Sequence, residues 1–200
     1  MIGSVADLVT LGRPTKGVDA TGILLVIAVT QQLARVSAEY LASCRMRAAE
    51  SSDGDHQWDP SAADSLDLDW APAMLARVCE IAGVDDSHLA ALRQATDGGV
   101  MLDVGFLNAH PHAIGFFGPT PTGLESKEVE RVSDLLGDID FRAALAALPS
   151  DDHVAGMLIG HGTEGLTRGP ETYLRVYFDA LREFYEGASK RGLVIVSWWD

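Results

Sequence analysis

Cysteine is scarce in this chain. Cys44 and Cys79 are the only two, with no C-x-x-C and no clustering, so neither a disulfide scaffold nor a zinc ribbon is expected. Each falls on the apolar side of an expected helix, where a small buried thiol in a reducing cytoplasm is the natural reading. Positive charge is scarce too. Fifteen Lys and Arg face 29 Asp and Glu, a net charge of -14. Nucleic acids and anionic membranes need basic patches to neutralise phosphates, so both are excluded as expected partners. A basic protein partner is compatible with this charge. No apolar run approaches the roughly 20 residues that span a bilayer. Internal repeats are missing, which excludes solenoids and propellers. There is no G-x-S-x-G elbow, no Walker loop, no G-x-G-x-x-G after a strand and no H-E-x-x-H. Serine hydrolysis on such an elbow, nucleotide binding by those loops and zincin chemistry are therefore not expected.

What the chain does contain is strongest at its C-terminal end. Tyr173, Val176, Tyr177, Ala180, Leu181, Phe184 and Ala188 recur at steps of three and four, which draws one apolar stripe along a helix. Arg182, Glu183, Glu186 and Lys190 lie off it. Gly192 is placed to end the helix, since glycine adopts the left-handed conformation a helix stop requires. The run Leu193 to Trp199 then reads as a strand apolar on both faces. Leu193, Ile195 and Trp199 point one way, and Val194, Val196 and Trp198 the other. Such a strand is covered on both faces, which implies a sheet between helices.

Two hundred residues suit one domain, able to bury roughly 70% of the surface of its unfolded chain without a metal or disulfide. Residues 1–21 read as an irregular extension. Gly22 to Val29 reads as a buried strand rather than a signal peptide, because Asp7 and Asp19 sit where a basic region would be needed. Thr30 is the expected cap of a helix bearing Leu33, Val36, Tyr40, Leu41 and Cys44 and running to about Glu50. Ser51 to Asp69 reads as an acidic loop. Its Asp53-Gly54-Asp55 fails as a calcium loop because Gln57 and Trp58 follow. Asp69 is expected to cap a helix from Trp70 to Ala82, with Pro72 in its first turn. Further helices are expected at Asp86–Thr96, Ser126–Leu136 and from Asp138 or Asp140 to Leu148. Strands are expected at Val100–Leu107 and Ala113–Phe117, joined by a turn at Asn108-Ala109-His110-Pro111. Val154 to Ile159 is a short apolar run of ambiguous type, followed by a glycine-rich loop from Gly160 to Gly169.

The segment Tyr173 to Asp200, with its Leu-Arg-Glu-Phe-Tyr sequence at 181–185, its Lys190-Arg191-Gly192 stop and its Trp-ending strand, resembles the close of the YfbM-like family, a bacterial domain of unknown function. Leu66-Asp67-Leu68-Asp69-Trp70 and Phe117-Gly118-Pro119, with Leu124 to Val129 after it, are similar to further family stretches. The resemblance covers about residues 22–200. It implies a single α/β domain of three layers (α/β/α) with a mixed central sheet in a bacterial cytoplasm, and it supplies no catalytic residue. Residues 1–21 have no counterpart in it, and Asp151 to Gly169 departs from the family pattern.

One histidine group invites chemistry. His110 and His112 are two apart and would share a face of an extended chain. Asp103 could approach across the turn. His153 and His161, with Asp151 and Asp152, lie further on. Two imidazoles and a carboxylate can hold a zinc or iron ion or move protons. The C-terminal tryptophans read as plugs for the two faces of the last strand rather than a ligand platform. Gly160-His161-Gly162 has no helix directly after it, so it reads as a loop rather than an anion cradle. Two functions remain open. The first is a non-catalytic soluble binding domain with an acidic surface that receives a basic protein partner, with no cofactor expected. The second is a small metal- or histidine-dependent hydrolase using Asp103, His110 and His112.

Overall fold

The computed structural model describes residues 30–51, 57–101, 120–160 and 169–199. Among them the chain forms strand β1 (Gln31–Val36), helix α1 (Ala38–Glu50), β2 (Ser65–Asp69), α2 (Ala71–Ile81), α3 (Asp86–Asp97), β3 (Val100–Met101), β4 (Thr122–Leu124), α4 (Ser126–Asp138), α5 (Phe141–Ala146), α6 (Asp152–Ile159), α7 (Gly169–Lys190) and β5 (Val194–Trp199). The strands make one open sheet in the order β2-β1-β5-β4-β3. The α/β class stands, but among the described strands every pairing is antiparallel where mixed pairing was expected. Four helices separate β4 from β5, so the single-helix crossover that makes neighbours parallel is absent there. Between β1 and β2 the chain doubles back along α1. The Tyr40 hydroxyl accepts the Asp59 N–H at 2.9 Å, which brings Ser65 opposite Ala34 at the far end of β1.

β5 lies at the centre of the sheet, and its alternation follows the expectation. Leu193 and Ile195 enter the larger core, with Leu33, Leu68 and Leu124 from the sheet and apolar faces of α2 to α7. Val196 and Trp198 face the other way, onto Ala34, Val36 and Leu41, with Tyr40 and Trp58 packed alongside. Helices therefore cover both faces of the sheet, with α1 the one helix on the thinner side among the described residues. The long helix is present, and Gly192 ends it at φ +63°. Its buried face is shifted from the predicted stripe, because Leu174, Phe178 and Tyr185 are buried while Tyr173, Val176 and Ala180 are only half-buried. Phe178 stacks on Phe141 of α5 with ring centroids 4.2 Å apart.

Three expectations fail in the described part. Gln31 to Val36 is a strand, not the start of a helix from Thr30. Gln31, Leu33, Ala34 and Val36 are buried by sheet pairing, and Ser37 is the true cap, accepting the Tyr40 N–H at 3.1 Å. The acidic loop ends in β2, since Leu66 and Leu68 alternate with Asp67 and Asp69 and pack into the core. Asp69 does not cap α2. It sits at φ +50°, where its side chain serves another partner. The expected strand at 22–29, the strands and turn at 102–119 and the loop after Gly160 lie outside the described residues.

The C-terminal end of α3 is tied into the sheet with unusual completeness. The last four carbonyls of a helix have no partner within it. Here the Gln94 carbonyl accepts from Gly98 N–H at 3.0 Å. The Ala95 carbonyl accepts from the fully buried Tyr185 hydroxyl at 2.8 Å. The Thr96 carbonyl accepts from the Ser197 hydroxyl at 2.9 Å and also from Gln31 Nε2. The Asp97 carbonyl accepts from the Thr122 hydroxyl at 2.7 Å. Side chains from β1, β4, β5 and α7 thus converge on one helix end and fix α3 against the sheet.

Candidate functional site

Asp103, His110 and His112 lie outside the described residues, as does His161. Of the wider histidine group, Asp151 is committed to local structure. Its Oδ1 accepts the His153 and Val154 N–H groups at 2.9 and 3.0 Å, which makes it the N-cap of α6. The His153 side chain points to solvent. Among the described residues, no three His, Cys, Asp or Glu side chains are grouped to hold a metal ion. Cys44 and Cys79 are free and buried. Burial pushes the Cys79 thiol up to about 11, so it stays a protonated apolar side chain.

A polar corner stands where β2 meets α2 and α7. The Tyr173 hydroxyl donates to Asp69 Oδ2 at 2.9 Å, and the Tyr177 ring lies 4.7 Å from that of Tyr173. Burial, and then the carboxylate of Asp69, pushes both phenols above their ordinary range, Tyr177 to about 12. They are protonated donors at neutral pH, not bases. The Asp69 N–H is held by Asp67 Oδ1 at 2.7 Å, so the turn is closed by its own side chains. This corner joins elements and presents no nucleophile.

The surface of α6 is different. The ambiguous run resolves as a helix that Asp151 opens and Gly160 closes at φ +102°. Ala155, Gly156 and Ile159 are buried on one side. On the other, Val154, Met157 and Leu158 are 45%, 73% and 42% exposed. Their spacing of three and four places them in one row. The helix is anchored at its C-terminal end, where Arg77 Nε of α2 donates to the Leu158 carbonyl at 3.2 Å. Large apolar side chains gathered on an anchored helix are an uncommon feature of a soluble surface. Val100 and Met101 are also exposed, but the chain beyond them lies outside the described residues.

The segment that carries this row is rich in carboxylates, with Arg77 as the cation at the C-terminal end of the helix. Residues 120–160 carry eight carboxylates against Lys127, Arg131 and Arg142. Arg131 is already bound to Glu128 at 3.1 Å. Arg77 is paired with Glu80 at 3.0 Å, and Arg93 pairs with the same carboxylate. Asp151 and Asp152 stand at the head of α6, and Glu171 is exposed in the first turn of α7. Sequence reasoning left this row unassigned because eight residues are too few for periodicity to separate helix from strand. The pair Asp151-Asp152 ahead of the run was the capping signal that could have found it.

Fold and surface together define an α/β domain on an open antiparallel sheet, with an exposed apolar row on α6 headed by two carboxylates. No known family profile matches the sequence, and no curated protein matches it. A structural neighbour is YfbM from Escherichia coli, a protein of unknown function, with a TM-score of 0.48 and 13% identity over 86% of this chain and 99% of that one. These comparisons point to no activity. Among the described residues, no helix is long and apolar enough to cross a membrane.

Proposed function

We propose that this chain is a non-catalytic interaction domain of a bacterial cytoplasm, YfbM-like in kind, whose docking surface is the outer face of α6. The observation that carries the reading is the row Val154, Met157 and Leu158. It stands exposed among the described residues, yet it sits on a helix capped at both ends and anchored by Arg77. Exposed apolar groups of this kind mark interaction surfaces, and methionine adapts to varied partner shapes. The Tyr185, Tyr173 and Asp69 contacts all serve packing, and no described side chain is poised as an activated nucleophile. The buried free thiols Cys44 and Cys79 favour a reducing compartment. The C-terminal segment from Tyr173 supports the family assignment.

The test places a photo-crosslinking amino acid at Met157 or, as a control, at the exposed Ala90 of α3 in the full chain. Defined adducts at Met157 that are absent at Ala90 support the reading. Equal or no adducts at the two positions, together with turnover on a small-molecule panel, would replace it with an enzyme.

A further inference from the structure

Resting on that docking surface, we infer that the occupant of the α6 face is a cationic amphipathic helix of another protein. The geometry favours a helix. An eight-residue helix is about 12 Å long, and the step of three and four between Val154, Met157 and Leu158 forms a ridge. Such a ridge packs into the groove between rows of a second helix. An apolar stripe of two turns on the partner covers it.

Charge decides between the possible occupants. The row is flanked by Asp151 and Asp152, with Glu171 one helix away. The nearest anchoring cation, Arg77, shares the Glu80 carboxylate with Arg93. A second copy of this chain would bring another net charge of -14 against the same carboxylates. An anionic lipid surface or an acidic peptide meets the same repulsion. A helix with Lys or Arg beside its apolar stripe buries the row and meets the carboxylates at its rim, where complementary charge raises both specificity and association rate. Met157, the most exposed of the three, is the anchor of the contact.

The experiment uses the full chain and three labelled helical peptides, read by fluorescence anisotropy. One carries a leucine stripe flanked by lysine. The second carries the same stripe flanked by glutamine. The third carries the lysines without the stripe. The leucine–lysine peptide is expected to bind about tenfold more tightly than either other peptide at low salt, with the gap narrowing as salt is raised. Met157→Ser is expected to weaken it about tenfold. The double variant Asp152→Asn with Glu171→Gln should weaken the leucine–lysine peptide several-fold and leave the glutamine peptide unchanged. Circular dichroism confirms that each variant is folded.

Equal binding of the lysine and glutamine peptides, lost in Met157→Ser, would overturn the cationic occupant while leaving α6 as the docking face. Equal binding of the stripeless lysine peptide would show charge attraction alone and overturn the inference. Binding of no peptide, or binding indifferent to Met157→Ser, overturns both the occupant and the face. Concentration-dependent dimerisation that Met157→Ser abolishes would make a second copy the occupant.

Discussion

Tyr185→Phe isolates the tie between α7 and the end of α3. The side chain is fully buried, and its hydroxyl gives the Ala95 carbonyl its hydrogen bond at 2.8 Å. Phenylalanine keeps the ring and its buried area, so the apolar contribution is unchanged. What is lost is one hydrogen bond, and the carbonyl is left buried without that partner, a cost of about 1–3 kcal/mol. A loss of about 2 kcal/mol follows, or roughly 4–8 °C in Tm for a domain of this length. Ser197→Ala is the internal comparison. It removes a donor from the Thr96 carbonyl, but Gln31 Nε2 still reaches that oxygen, so no orphan is created and the loss is about 1 kcal/mol or less. Urea unfolding followed by circular dichroism measures both, with an unchanged m-value showing that the unfolded state is not altered. The reasoning is refuted if Tyr185→Phe costs under about 0.5 kcal/mol, or if Ser197→Ala costs as much as Tyr185→Phe.

Gly187→Ala should destabilise the protein although it sits in the middle of a helix, where alanine is normally favoured by about 1 kcal/mol. A Cβ there would overlap Arg35 Nη1, which donates to the Phe184 carbonyl at 3.2 Å. In an Arg35→Ala background the same change should become stabilising, which a double-mutant cycle will show. Asp64 is held at about 2 by Arg191 first and then Arg35, against an ordinary 3.8. A depressed carboxylate stabilises the fold above the unfolded pKa and loses that contribution as pH falls from about 5 toward 2. Asp64→Asn should therefore flatten the stability–pH curve in that window, removing roughly 1–2 kcal/mol at neutral pH after solvent screening. Asp69→Ala should cost about 2 kcal/mol through backbone strain and the lost Tyr173 bond, whereas Asp69→Asn, which tolerates positive φ and still accepts, should cost under about 1 kcal/mol in chemical denaturation. Met157→Lys should leave Tm within about 2 °C of wild type, since the side chain is mostly exposed.

The parts of the fold legible in the sequence were those where one physical signal dominates. The stripe and glycine stop of α7 and the two-faced run of β5 are long enough for periodicity to be decisive, and the Asp97-Gly98-Gly99 stop of α3 is explicit. β1 was misread because Leu33, Val36, Tyr40 and Leu41 happen to keep helical spacing across a strand and the helix after it. Only the cap at Ser37 separates them. β2 was hidden by its acidity, since Asp67 and Asp69 made a half-buried strand look like solvated loop. The convergence on α3 was beyond reach. Gln31, Ser197, Tyr185 and Thr122 are far apart in sequence, and nothing local marks a side chain as the cap of a distant helix. The row on α6 was visible as apolar residues but not as surface, because exposure depends on which face the fold covers.

The contrast between the two helix ends bears on function. At α3, every terminal carbonyl is matched by a donor, and four separate elements supply them. On α6, by contrast, Met157 stands mostly exposed and Val154 and Leu158 nearly half exposed. Ala155, Gly156 and Ile159 already bury the opposite side of the helix. A polar residue at Met157 would serve folding about as well and solubility better. On the proposed reading the row meets a molecule outside the fold, and the carboxylates at the head of α6 restrict what that molecule can be.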